Sequence, residues 1–239
     1  MRPRRRSLLL SLPAIALASL SGACSSTGRD FARPQPNALV LGVTTPADVL
    51  ATYGEPAERI NEPGNVAMDD AFENLQPRPP GLKKAMVKGE IDRLRYSFTH
   101  TAMVSFGDGA TARIRLLDVS FWNGKLIAYN FSSSFGQDAT DFDDRKVSAL
   151  VRGRTTASDV LNEFGAPGGQ AIYPGVARQG TRQYAWQYAV AGPRRGQTTL
   201  KRLELLFGPT DRLDQVYLVT EIRDGAPIRA LGRSWFHRA

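Results

Sequence analysis

The chain is poor in the residues that carry most protein chemistry. Its 239 residues include one cysteine, Cys24, and two histidines, His100 and His237. A single cysteine rules out an internal disulfide, so no covalent staple holds the fold. The histidines are 137 residues apart, and His100 lies in a stretch of strand-like alternation. No Cys/His ligand spacing, phosphate-binding glycine loop or nucleophile elbow is present. The expectation is a chain that is not an enzyme and uses no metal or cofactor. Hydrolysis by two carboxylates distant in sequence is the catalytic option that this composition leaves open. Long apolar runs are scarce too. Leu8 to Ala23 has 16 residues with Pro13 inside it, short of the roughly 20 that a membrane-spanning helix needs.

That run follows Arg2, Arg4, Arg5 and Arg6 and ends in Ser21, Gly22 and Ala23, the order of a secretory signal over residues 1–23. Leu20-Ser21-Gly22-Ala23-Cys24 resembles a bacterial lipobox, with Ser21 in place of the usual leucine three positions before the cysteine. The resemblance implies acylation of Cys24, which would then begin the mature chain; ordinary cleavage near Ala23 is the other reading. Acyl chains anchor at about 0.8 kcal/mol per buried methylene. Ser25, rather than an aspartate, follows the cysteine, which implies an anchor in the cell outer membrane facing the periplasm. Residues 24–37, with Pro34 and Pro36, read as a flexible tether of roughly 20 Å reach.

Charge of one sign is less abundant than it first looks. Of the 31 basic residues, four are the signal arginines, and the signal holds none of the 23 acids, so the formal net charge of +8 halves to +4. That balance favours acidic partners mildly, and the implied compartment excludes nucleic acid. No small-molecule substrate is expected.

What the chain does have is a duplication. Ala38 to Pro56 reads ALVLGVTTPADVLATYGEP and Ala149 to Pro167 reads ALVRGRTTASDVLNEFGAP, with 11 of 19 positions identical at a constant offset of 111. Each copy reads as a short helix. Thr45 and Thr156 are N-caps, with Asp48 and Asp159 completing capping boxes. Val49, Leu50 and Tyr53 match Val160, Leu161 and Phe164 as an apolar face, and Gly54-Glu55-Pro56 and Gly165-Ala166-Pro167 are stops. A cap accounts for the paired Thr and Asp better than a nucleophile and base do.

Downstream of each helix the period changes from helical to alternating. The first copy has Leu94, Tyr96 and Phe98, then Leu117, Val119 and Phe121, an Asn123-Gly124 turn, and Leu126 to Phe135. The second has Tyr184, Trp186 and Tyr188, then Leu203, Leu205 and Phe207, a turn at Gly208 to Asp211, and Leu213 to Ile222. These are hairpin signals. The expected class is α+β, as two tandem units over 38–136 and 137–226, each with one or two short helices packed on an antiparallel sheet of three or more strands. Residues 227–239 form a basic aromatic tail.

The order Gly-x-Thr, capped helix with Val-Leu, Gly-x-Pro, aromatic strand and Leu-x-Leu-x-Phe strand resembles the BamE (SmpA/OmlA) family of outer-membrane lipoproteins. The tandem arrangement is similar to beta-lactamase inhibitor protein. The resemblance implies a non-catalytic role in binding another envelope protein, in outer-membrane protein assembly or envelope integrity. The alternative it implies is a periplasmic inhibitor of an envelope enzyme.

The two copies diverge in one place. The offset falls from 111 at the helices to 90 at the aromatic strands, so the first copy holds 21 extra residues within an insertion at 57–93. Arg78, Lys83, Lys84 and Lys88 there are candidate partner-binding residues, the other reading being a tolerated surface loop. Arg233, Trp235 and Phe236 in the tail are the second candidate set, against simple packing of the two rings. The cluster Asp138, Asp141, Asp143 and Asp144 lacks the glycine and terminal glutamate of a calcium loop and reads as a linker or helix start.

Overall fold

The computed structural model describes residues 25–68, 85–103, 110–138, 140–176, 178–191 and 197–224. The duplicated stretches form α1 (Pro46–Tyr53) and α2 (Ala157–Phe164), each of eight residues. Their capping boxes are complete: Thr45 Oγ1 accepts from the Asp48 amide at 3.3 Å, and the Asp48 carboxylate accepts from the Thr45 amide at 2.9 Å. At Thr156 and Asp159 the same two distances are 3.2 and 2.8 Å. The first threonine of each Thr-Thr pair has a separate task. Thr44 Oγ1 accepts from the Val40 amide and Thr155 Oγ1 from the Val151 amide, both at 2.9 Å, which closes the loop before each helix.

These loops are tied to the sheet by matching backbone bonds. Gly42 and Gly153 donate to the carbonyls of Leu126 and Leu213, whose own amides donate to Thr44 and Thr155. The duplication therefore extends to individual hydrogen bonds. A Thr156→Ala variant is expected to lose about 1 kcal/mol, the usual worth of an N-cap, in urea unfolding. The bonds with Thr45 hold the Asp48 carboxyl below its ordinary 3.8, and Asp159 is lowered likewise by its backbone and side-chain bonds with Thr156. A depressed folded value means that each cap's contribution is full above the unfolded carboxyl's pKa and is lost as pH falls through the folded one. A Thr45→Ala/Thr156→Ala variant should therefore show a shallower fall in stability below pH ~4 than the parent.

The strands are β1 (Ser25–Thr27), β2 (Glu58–Met68), β3 (Ala85–Met103), β4 (Ala110–Trp122), β5 (Lys125–Ser133), β6 (Gly169–Ile172), β7 (Arg182–Ala191), β8 (Gln197–Phe207) and β9 (Leu213–Asp224). They make one nine-stranded sheet in the order β1-β3-β4-β5-β6-β7-β8-β9, with β2 on β3 as well. Every ladder is antiparallel except one β5–β7 pair, Ser133 with Tyr188. Asn123 and Gly124 join β4 to β5 with φ of 47° and 73°, the double left-handed geometry that a two-residue hairpin turn requires. Bulges at Ser120/Phe121 and Leu206/Phe207 recur at equivalent places in the two halves.

This architecture corrects the expected α+β class. Among the described residues regular structure is overwhelmingly strand, the helices are α1, α2 and two short 3-10 segments, Gly136–Asp138 and Asp144–Ala149, and the two halves share one sheet rather than each owning one. The physical reason is edge closure. Two separate sheets would each leave unpaired backbone at an edge, and pairing β5 with β6 satisfies both edges at once. The apolar face of the sheet carries two cores. Val49 and Tyr53 of α1 pack with Leu94, Tyr96, Leu117, Val119, Phe121 and Phe131, and Val160 of α2 packs with Tyr184, Trp186, Leu203, Leu205 and Phe207.

Two further segments differ from expectation. Residues 25–37 do not run free. β1 pairs with Thr99–Thr101, Phe31 is buried with its ring edge-on to Tyr53 and Phe131, and Arg33 donates to the carbonyls of Asp138 and Ala166. The described part of the 57–93 insertion is mostly strand, since β2 pairs with β3 from Glu58↔Arg95 to Met68↔Ala85. Alternation there is masked by Pro63, Gly64 and Gly89, which is why the sequence reads as loop.

Candidate functional site

The face of the sheet turned away from the helices is polar where the other is apolar, as strand alternation requires. One row of side chains crosses it, each residue directly opposite the next from β3 to β9: Arg95, Asp118, Asn130, Gly169, Ala185, Glu204 and Tyr217. Glu58 on β2 extends it beyond Arg95. Asp118 and Glu204 occupy equivalent places in the two halves, and both are buried, Glu204 completely. Each is held by an arginine: Arg95 Nε donates to Asp118 at 2.6 Å, and Arg202 pairs with Glu204, which also accepts from Gln183 at 3.2 Å.

The centre of this face is lined by small residues. Ala128 and Ala171 lie beside Gly169 and Ala185, and the turn after β6 lays Val176 over them with Leu206. Around this patch the polar groups are incompletely used. Asn130 Nδ2 donates to Gln187 at 3.2 Å, while Asn130 Oδ1 and Ser120 Oγ are buried with no hydrogen-bond partner among the described residues. Buried polar atoms left unpaired are costly, about 1–3 kcal/mol each.

Asp118 on β4 and Glu204 on β8 are four inter-strand steps apart, roughly 19 Å at the usual spacing. A glycosidase pair stands within about 5–9.5 Å, so these two carboxylates cannot share one glycosidic bond. The sequence's acidic cluster resolves into separate contacts: Asp138 pairs with Arg115, Asp141 with Lys201, Asp143 with Arg145, and Asp144 accepts from Thr220. Among the described residues no group of acids, histidines or cysteines is arranged to hold a metal. His100 sits in β3 with Nδ1 3.1 Å from Ser26 Oγ.

Of the residues singled out from sequence, Cys24, Arg78, Lys83, Lys84, Arg233, Trp235 and Phe236 lie outside the described residues, as does the tail 227–239. Lys88 is in β3, its backbone paired with Asn65. The polar row escaped the sequence reading because its members belong to seven strands. The signal was there in each strand as the polar half of the alternation, and only the register assembles it.

No protein-family model matches the chain, and no curated protein matches it. The resemblance to the BamE family therefore rests on the sequence motifs alone. Among solved structures, the crystal structure of a candidate beta-lactamase inhibitor protein from Streptococcus mutans is similar over 74% of this chain and 82% of its own, with 11% identity and a TM-score of 0.35, a likeness too distant to carry an argument about function.

Proposed function

We propose that this is a non-catalytic lipoprotein, anchored through Cys24 in the outer membrane and facing the periplasm, that binds another envelope protein through the polar face of its sheet. The observation that carries the reading is the polar row on the sheet face turned away from the helices, half-exposed at Arg95 and at Tyr217. Arg95 and Tyr217, with Gln215 beside the latter, are the half-exposed groups that a partner would meet, arginine and tyrosine being residue types enriched at interfaces. Outer-membrane protein assembly is the setting that the sequence resemblance suggests. Inhibition of an envelope enzyme would be another outcome of the same contact.

The experiment is site-specific photo-crosslinking in intact cells from Tyr217 or Gln215 on the polar face and from Asn162 on α2 as a control. The expected result is one identified outer-membrane or periplasmic protein captured from the polar face and not from Asn162. Capture from Asn162 alone, or none from either face, would sink the reading. A Cys24→Ser variant is expected to leave the membrane fraction; its retention there would remove the lipid anchor from the proposal.

A further inference from the structure

Each helix is only eight residues, about 12 Å long. Each therefore covers its own half, and the sheet between the two cores is covered by neither. A cleft of about 570 Å³ fills that gap on the helix side, with Tyr129 and Phe131 of β5 and Gln170 of β6 on its floor. Leu161 of α2, Leu39 and Leu41 of the loop before α1, and the Arg33–Pro36 segment form its walls. The volume is that of small-molecule sites, which are mostly apolar with a few placed polar groups.

The polar groups at this cleft are donors. Arg33 and Arg182 line it and, among the described residues, no acidic one does. Tyr129 is 8% exposed, and its hydroxyl accepts from Gln170 Nε2 at 3.0 Å, which leaves its own proton free to be donated. Burial pushes the Tyr129 hydroxyl up to about 12, with Arg33 among the groups pulling the other way, so it remains a donor at neutral pH. Arg33 is fixed in place by the carbonyls of Asp138 and Ala166, at 2.9 and 2.7 Å, and Arg182 by the Tyr184 hydroxyl at 3.2 Å.

We infer that this cleft binds a carboxylate carried on an apolar chain, the carboxylate accepting from the Tyr129 hydroxyl between Arg33 and Arg182 and the chain lying against Leu39, Leu161 and Phe131. A fatty acid and the C-terminus of an apolar peptide share this chemistry. The site is on the opposite side of the sheet from the polar row, so its fate is independent of the protein-binding proposal.

Calorimetric titration of the purified protein with dodecanoate, with N-acetyl-Leu-Phe and with the C-terminal amide of that dipeptide separates the sources. At least one of the two carboxylates is expected to bind, dodecanoate alone marking a fatty acid site and the dipeptide a peptide terminus, while the amide binds at least about tenfold more weakly than its acid. Tyr129→Phe and Arg182→Gln should each weaken binding about tenfold, and Arg178→Gln, outside the cleft, should leave it unchanged. Absence of binding by both carboxylates, equal binding of the amide, or unchanged affinity in the exposed Arg182→Gln variant would overturn the assignment.

Discussion

Replacing Asp138 by alanine is expected to destabilise the protein by about 2–3 kcal/mol, since it takes from a buried guanidinium its buried partner and leaves it only the exposed Asp30. Asp138 and Arg115 are both buried, and Arg115 Nε donates to the carboxylate at 2.7 Å. Arg115 also pairs with Asp30 and lies 4.3 Å above the Phe135 ring. Burial works against its charge, the bonds to Asp138 and Asp30 outweigh it, and its pKa is raised. Three parts of the chain meet there: the N-terminal segment, β4, and the connection between the halves. Asp138→Ala should thus also expose the segment around Phe31 to proteolysis earlier than the parent. An Asp138→Ala/Arg115→Met variant, which removes both charges, should recover much of the loss. Urea unfolding giving less than about 1 kcal/mol for the single variant would show that the pair is dispensable.

The second large effect is expected in the paired cores. Phe121 and Phe207 are fully buried, stand at equivalent bulges in the two halves, and belong to different cores. Phenylalanine to alanine at such a site costs about 3–5 kcal/mol, in lost burial plus the cavity left behind. Phe207→Ala removes the ring 5.4 Å from Tyr184, and Phe121→Ala empties the corresponding space under α1. With no shared cluster the two losses should add in a double variant within about 0.5 kcal/mol. A double variant much less destabilised than the sum would mean that one half unfolds before the other, measured by comparing fluorescence and circular dichroism transitions.

How much of this was legible depends on whether the determinant was local. The helix caps were, because Thr45, Asp48 and Gly54 act within one another's reach along the chain, and the same holds for Thr156, Asp159 and Gly165. So were the strands with large apolar alternation and the Asn123-Gly124 turn. The joining of the halves was not. It depends on β6, four residues with little strand character, which fits only because a side chain at Gly168 would meet the Phe131 carbonyl at 2.7 Å and one at Gly169 the Tyr129 carbonyl at 2.9 Å. The paired glycines after Pro167 were a sign of close backbone approach that alternation alone does not reveal. The N-terminal segment misled for a similar reason. Pro34 and Pro36 suggest a tether, whereas one ring, Phe31, and one guanidinium, Arg33, hold it down.

The polar row and the cleft were illegible in a stronger sense. Asp118 and Glu204 become neighbours of Asn130 and Tyr217 only through register, and Tyr129 meets Gln170 only after the two halves share a sheet. Neither arrangement exists in any single segment.

The pairing of Ser25 with Thr101 has a consequence for geometry at a membrane. With acyl chains on Cys24, a single residue step of about 3.8 Å would separate the anchored position from a hydrogen-bonded sheet edge. The leash of the proposed anchor would then be short. On the proposed anchoring, the sheet edge at Ser25 would be held close to the bilayer.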